Sequence, residues 1–304
     1  MGMYITPAQE AGIELVDFLA EEAAILLGNA PPFLYHYTSA SGMQSIIESG
    51  LLRAGSLHRM NDFAEVRFAA SVFRACLDRR CARTVGSKNF QLLKAMQGRM
   101  REPVSITNIF SASFSSDGDE RGMWQLYADH GSGFSFCIPI RHGLSWSEGP
   151  PFGWLWRCHY GEETLTTFSN RALAKAEELF DQITVERATA EYENEWNPTG
   201  EGSTTTDFAN EYLNRIAPFA AAFKPGVWAD EQEWRWVFVR HPNESPAFLE
   251  LNLLDVTSKK KSVIAAICAG PQCTERNIDH LRTVLDANGL TGCQIGRSSM
   301  TMPG

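Results

Sequence analysis

Apolar positions recur along the chain with two periods, and their alternation predicts an α+β protein. Residues Pro7 to Leu27 place Ile13, Leu15, Val16, Leu19, Ala20, Ala23, Ala24 and Leu27 on one broad stripe at helical spacing. Gly28-Asn29 stops that helix and Pro31-Pro32 enforces an extended exit. A short strand, Phe33 to Ser39, ends in polar residues; Ser41 then caps a helix through Ile47, closed by Gly50, with the next segment starting at Leu51-Leu52. A helix follows to about Arg80, where Asn61 or Asp62 is a suitable N-cap and Glu65 completes a capping box with Asp62. A basic segment is helical from Leu92 to Met100.

Period-two alternation returns at Ile106 to Ser115, with Phe110, Ala112 and Phe114 on one face and Ser111, Ser113 and Ser115 on the other. The turn Asp117-Gly118-Asp119 leads into a helix, Glu120 to Asp129, that presents Trp124 and Tyr127 from one side. Phe134 to Pro139 is a strand, and Trp154 to Tyr160 is expected as its partner. Helical patterns at Arg171 to Tyr192 and Thr206 to Ala222, joined by Asn197 to Thr205, form a helical insert over about 164–223. Strands at Glu231 to Val239, Ala247 to Leu254 and Ser262 to Ala269 follow, then a helix from Thr274 to Asn288 and a last strand at Gly292 to Ile295. Strands that follow one another directly are expected to pair antiparallel. The predicted organisation is an N-terminal helix over 1–30 and a single domain over 31–304.

Composition changes this picture little. The chain has 304 residues, 44% hydrophobic and 21% charged, enough for a large core. A balance of 27 basic against 36 acidic residues, net −9, disfavours broad attraction to nucleic acid without excluding a local basic groove. The apolar N-terminal stretch carries Glu10, Glu14, Asp17, Glu21 and Glu22, unlike a secretory leader, and no run reaches the roughly 20 apolar residues of a membrane span. A cytoplasmic location is expected, with no membrane partner. The seven cysteines are scattered without a Cys-x-x-Cys pair, as buried free thiols would be, and no metal is expected.

The stretch with the most chemistry is Glu231-Gln232-Glu233-Trp234-Arg235. As a strand it puts Glu231, Glu233 and Arg235 on one face, and like charges held that close require a cationic partner or shift each other's pKa. Either Glu231 lies in a polar turn with Glu233 in an ordinary ion pair, or the two carboxylates form a site. His36, beside Thr38 and Ser39 at a strand-to-helix junction, is placed either to satisfy the strand end or to bind a ligand's hydroxyls. The serine ladder taken alone reads as a half-exposed edge strand, with a row of hydrogen-bonding groups as the alternative.

Six motifs occur in order: Leu34-Tyr35-His36-Tyr37-Thr38-Ser39, Met60-Asn61-Asp62-x-x-Glu65, Ser113-Phe114-Ser115, Trp124-x-x-Tyr127, Glu231-x-Glu233-Trp234-Arg235 and Ala269-Gly270-Pro271. Their order and spacing over about 33–300 resemble the bacterial domain family DUF2971. The chain is also similar to the ADP-ribosyltransferase superfamily, whose three strand motifs would correspond to His36, Ser111 to Ser115, and Glu233. That resemblance implies split antiparallel sheets with flanking helices and a helical insertion, and an enzyme that consumes NAD as substrate. It implies Glu233 and Glu231 as catalytic residues, with Glu233 stabilising the ribosyl cation and Glu231 acting on the acceptor. His36 would hold the adenosine ribose with Thr38 assisting, Ser113 would support Glu233 or the nicotinamide ribose, and Tyr37 and Ser115 would join the NAD-binding residues. Trp124 or Tyr127 would stack on nicotinamide, and Arg235 would pair with Glu233. The acceptor is a protein, a nucleic acid or a small molecule, or water in a glycohydrolase, in a toxin or defence setting. A non-enzymatic nucleotide-sensing or partner-binding domain, with the insert as its interface, is the alternative.

Overall fold

The computed structural model describes residues 7–57, 63–100, 109–140, 145–146, 153–194, 201–239, 248–253 and 263–300. In chain order the elements are α1 (Pro7–Leu27), β1 (Phe33–Thr38), α2 (Ala40–Ser49), β2 (Leu51–Ser56), α3 (Phe63–Arg83), α4 (Asn89–Arg99), β3 (Ile109–Ser115), α5 (Arg121–Tyr127) and β4 (Phe134–Pro139). They continue with β5 (Ser145–Trp146), β6 (Gly153–Arg157), β7 (His159–Tyr160), α6 (Glu162–Asn194), α7 (Glu201–Ile216) and β8 (Phe223–Lys224). The last are β9 (Glu233–Val239), β10 (Phe248–Asn252), β11 (Ala266–Ala269), α8 (Glu275–Ala287) and β12 (Ile295–Arg297). The fold is α+β with a mostly antiparallel sheet and flanking helices. Predicted Asn61 and Asp62 lie outside the described residues. Among the described residues no helix is long and apolar enough to cross a membrane.

Packing divides the chain into two compact units. The helical unit comprises Met1–Leu26, Asp62–Ile106 and His159–Gly226. The expected insert is therefore packed with α3 and α4 rather than standing alone. The buried stripe of α1 is rotated from the predicted one: Leu15, Phe18, Glu22 and Leu26 face inward, while Val16 and Ile25 are each 52% exposed. Glu22 is tolerated on that face because Arg171 reaches it at 2.7 Å; burial still pushes its carboxyl pKa up, the arginine opposing. Glu65, expected chiefly to cap α3, is buried and pairs with the buried Lys224 at 2.8 Å.

The sheet unit comprises Leu27–Asn61, Thr107–Cys158 and Val227–Gly304. Its sheet runs β12-β11-β4-β1-β3-β2-β10-β5, with β9 and β6 branching from β3. Among the described residues only β11 and β12 pair parallel in it. Met43, Ile46 and Ile47 of α2 and Ile278, Leu281, Val284 and Leu285 of α8 join the core formed by the strands. Ser39, not Ser41, caps α2 by accepting from the Gly42 amide at 3.0 Å. Gly50 ends that helix as predicted, at φ 69°. The strand at Gly153–Arg157 pairs with β9 and not with Phe134–Pro139, which lies between β1 and β11. Adjacency in the chain failed there because Trp154 to Trp156 finds its neighbours on the Trp234 to Phe238 strand.

The branch at β3 shapes the site. One edge of β3 is covered by β9 over its whole length, from Ile109↔Val239 to Ser115↔Glu233. The other edge is shared: β1 meets it at Tyr35↔Ser115, and β2 meets it at Gly55↔Ser111 and Ser56↔Phe110. The sheet thus forks along this edge, and Ser113 sits in the fork. The serine strand is a central one, not the edge strand that its hydroxyls suggested.

Candidate functional site

Ser113 lies between the two arms of the sheet, where its backbone carbonyl has lost a strand partner. The imidazole of His36 takes that place, with Nδ1 2.9 Å from the Ser113 oxygen. A carbonyl only accepts, so Nδ1 carries the proton and Nε2 is left as an acceptor. The ring packs against Phe114 and Phe136, with centroids 5.7 and 5.3 Å away. Burial holds its pKa below the ordinary histidine value, the bond to Ser113 opposing, so the ring is neutral near pH 7.

Across the fork, β9 begins at Glu233 because Gln232 adopts φ 44°, a left-handed conformation unusual for a side-chain-bearing residue. Glu231 therefore ends a 3-10 turn and is not part of the strand. Both carboxylates are buried, at 6% exposure for Glu231 and 4% for Glu233. Arg235, two residues along the same face, grips Glu233 with two hydrogen bonds, Nε to Oε1 at 2.8 Å and Nη2 to Oε2 at 3.0 Å. The Cys158 amide donates to the Glu233 carbonyl at 2.8 Å, and its thiol lies 3.8 Å from Oε2. Tyr127 donates its hydroxyl to Glu231 Oε1 at 2.8 Å.

These groups surround one hollow of about 50 Å3, lined by His36, Tyr37, Ser113, Met123, Tyr127, Glu231 and Glu233. That is room for a few waters or for one functional group of a larger ligand. Two carboxylates against one guanidinium give it a negative balance, suited to hydroxyl donors and to positive charge.

Six of the ten residues singled out from sequence meet there: His36, Tyr37, Ser113, Tyr127, Glu231 and Glu233. The other four serve them or the core. Ser115 accepts from the Asp117 amide at 3.1 Å and donates to the Glu231 carbonyl at 3.5 Å, tying the turn to β3. Arg235 lies behind Glu233. Thr38 is directed at Gly42, where an added Cβ would sit 2.3 Å from its Oγ1. Trp124 is wholly buried, with its Nε1 2.8 Å from Asp119 Oδ1 and its ring edge-on to Tyr37. The hydroxyl of Tyr37 is committed to backbone, donating to Asp117 O and accepting from Glu120 N, both at 2.9 Å. Only its ring faces the hollow.

Sequence reasoning missed Met123 and paired Tyr127 with Trp124, although of those two only Tyr127 lines the hollow. Residues four apart on a helix share a face as readily as residues three apart. Met123 and Tyr127 therefore look into the hollow while Trp124 turns to the core. Among the described residues no group of three His, Cys, Asp or Glu side chains is placed to hold a metal ion. No protein-family model, curated protein or solved structure matches the chain.

Proposed function

We propose that this chain is an NAD-consuming enzyme of the ADP-ribosyltransferase type, the superfamily that the three strand motifs of its sequence resemble. The observation that carries the reading is the meeting of His36, Ser113, Glu231 and Glu233, contributed by three strands and the 3-10 turn before the last of them, around one small acidic hollow at the fork. The reaction breaks the bond between the ribose C1′ and the nicotinamide nitrogen. Nicotinamide leaves with the bonding electron pair, and the ribose becomes oxocarbenium-like.

Glu233 stabilises that cation by accepting a hydrogen bond from the ribose 2′-hydroxyl. Arg235 holds the carboxylate in place with two hydrogen bonds, which fixes the direction from which the hydroxyl approaches. Because the charge develops only as the bond breaks, this interaction strengthens in the transition state. Glu231, held by Tyr127, takes the proton of the attacking acceptor. Neutral His36 presents Nε2 to a second sugar hydroxyl. Tyr127 thus acts through Glu231 rather than by stacking on the base.

The direct test is nicotinamide release from NAD. Glu233→Gln keeps an acceptor for Arg235 but removes the negative charge, and it is expected to slow release by about 10²–10³-fold with the fold retained. Release at the wild-type rate from a folded variant defeats the assignment. A second reading has water as the acceptor, and it is favoured by a hollow sized for water beside Glu231. Transfer of the label from adenine-labelled NAD to a macromolecule, against recovery of free ADP-ribose, distinguishes the two.

A further inference from the structure

The helical unit contains a cavity of its own, of about 90 Å3, between α3, the end of α4, α6, α7 and the chain leading to β8. Its floor is apolar: Phe73, Leu165, Phe168 and Phe223 line it, all at 7% exposure or less. Two polar side chains complete the wall, the half-buried Arg99 and the exposed Asn214, so the polar side of the cavity is its mouth. Arg74 donates to the Met100 carbonyl and so fixes the end of α4 that carries Arg99. An apolar floor with a cation at the entrance is the lining expected of a small-molecule site, where a few polar groups set orientation.

We propose that this cavity binds a small monocarboxylate with an unbranched apolar tail. The tail lies against Phe73, Phe168 and Phe223, and the carboxylate meets Arg99. The floor has no partner for a charge, so only the head of the ligand can be ionic. The volume is below the roughly 150 Å3 that accommodates a benzene ring, which selects a slim chain over an aromatic one. Arg99 makes a contact of its own, but a guanidinium has five N–H donors and serves a second acceptor without releasing the first. The Asn214 amide adds a donor beside it. This site is independent of the NAD reading.

Butanoate titrated into the full chain by calorimetry is the test, its three-carbon tail being smaller than benzene, with butylamine as the cationic control of equal length. Saturable butanoate binding below about 1 mM is expected, with none for butylamine. Arg99→Gln should weaken butanoate about tenfold, and Ala69→Leu, which fills the floor, should abolish binding. Absence of butanoate binding, equal binding of butylamine, or binding unaffected by Ala69→Leu in folded protein overturns the proposal. Should Ala69→Leu not fold, the Arg99→Gln comparison decides, because that side chain lies at the mouth.

Discussion

His36 supplies the site with an acceptor only while it is neutral, and its surroundings keep it so. Its pKa in the folded protein is depressed by burial against Phe114 and Phe136, so the unfolded chain binds its proton first as pH falls. The sign follows. Above the unfolded value of about 6.5 the ring is neutral in both states and stability is intact. Below it, stability is lost progressively until pH reaches the folded pKa, at no more than about 1.4 kcal/mol per pH unit for this one group. His36→Asn keeps a donor for the Ser113 carbonyl but cannot titrate. Unfolding midpoints followed from pH 8 down to 5 should therefore fall more steeply for wild type than for the variant. Parallel curves would mean that the imidazole is not shielded as described. The histidine was legible in the sequence as a polar residue at a strand end. Its bond to a backbone carbonyl 77 positions away was not, because that bond exists only where two arms of a sheet separate.

At the scale of elements, periodicity recovered the helix Pro7–Leu27 and the strand Phe134–Pro139 to the residue. What it could not supply was pairing. Alternation states which side chains share a face, not which strand lies alongside, and so Trp154–Trp156 was assigned the wrong neighbour and the serine strand the wrong rank. The left-handed Gln232 was equally hidden, since nothing in glutamine announces a positive φ. The Ala269-Gly270-Pro271 motif has a local reason. A Cβ on Gly270 would lie 2.3 Å from the Gly131 carbonyl oxygen and 3.1 Å from the Trp124 ring. The two loops are zipped by Gly270 N to Gly133 O at 3.0 Å and Gln272 N to Gly131 O at 2.9 Å, so neither yields easily. These contacts hold the end of α5, and with it Tyr127. Gly270→Ala should lower stability by about 1–3 kcal/mol in urea unfolding and reduce nicotinamide release as well. A variant with both quantities unchanged would show that the loops are less tightly joined than their hydrogen bonds imply.

For the whole molecule, the sequence showed helices in the 164–223 stretch but not that they share a core with 62–106 and the N-terminal helix. That grouping rests on contacts between segments far apart in the chain, which no local pattern encodes. Each unit carries a buried cation–carboxylate pair, Glu233 with Arg235 in one and Glu65 with Lys224 in the other, and the pairs differ in what surrounds them. Glu233 lines a hollow, which gives its charge a task beyond stability. Glu65 and Lys224, at 3% and 1% exposure, are not among the lining residues of the two cavities described above. The desolvation of two such ions nearly cancels their attraction, but removing one alone leaves the other buried without its counter-charge. Lys224→Met should therefore cost about 3–5 kcal/mol in denaturant unfolding, while Glu65→Gln combined with Lys224→Met should recover most of that loss. If the double variant is no more stable than the single one, the lysine matters for its packing and not for the charge it neutralises.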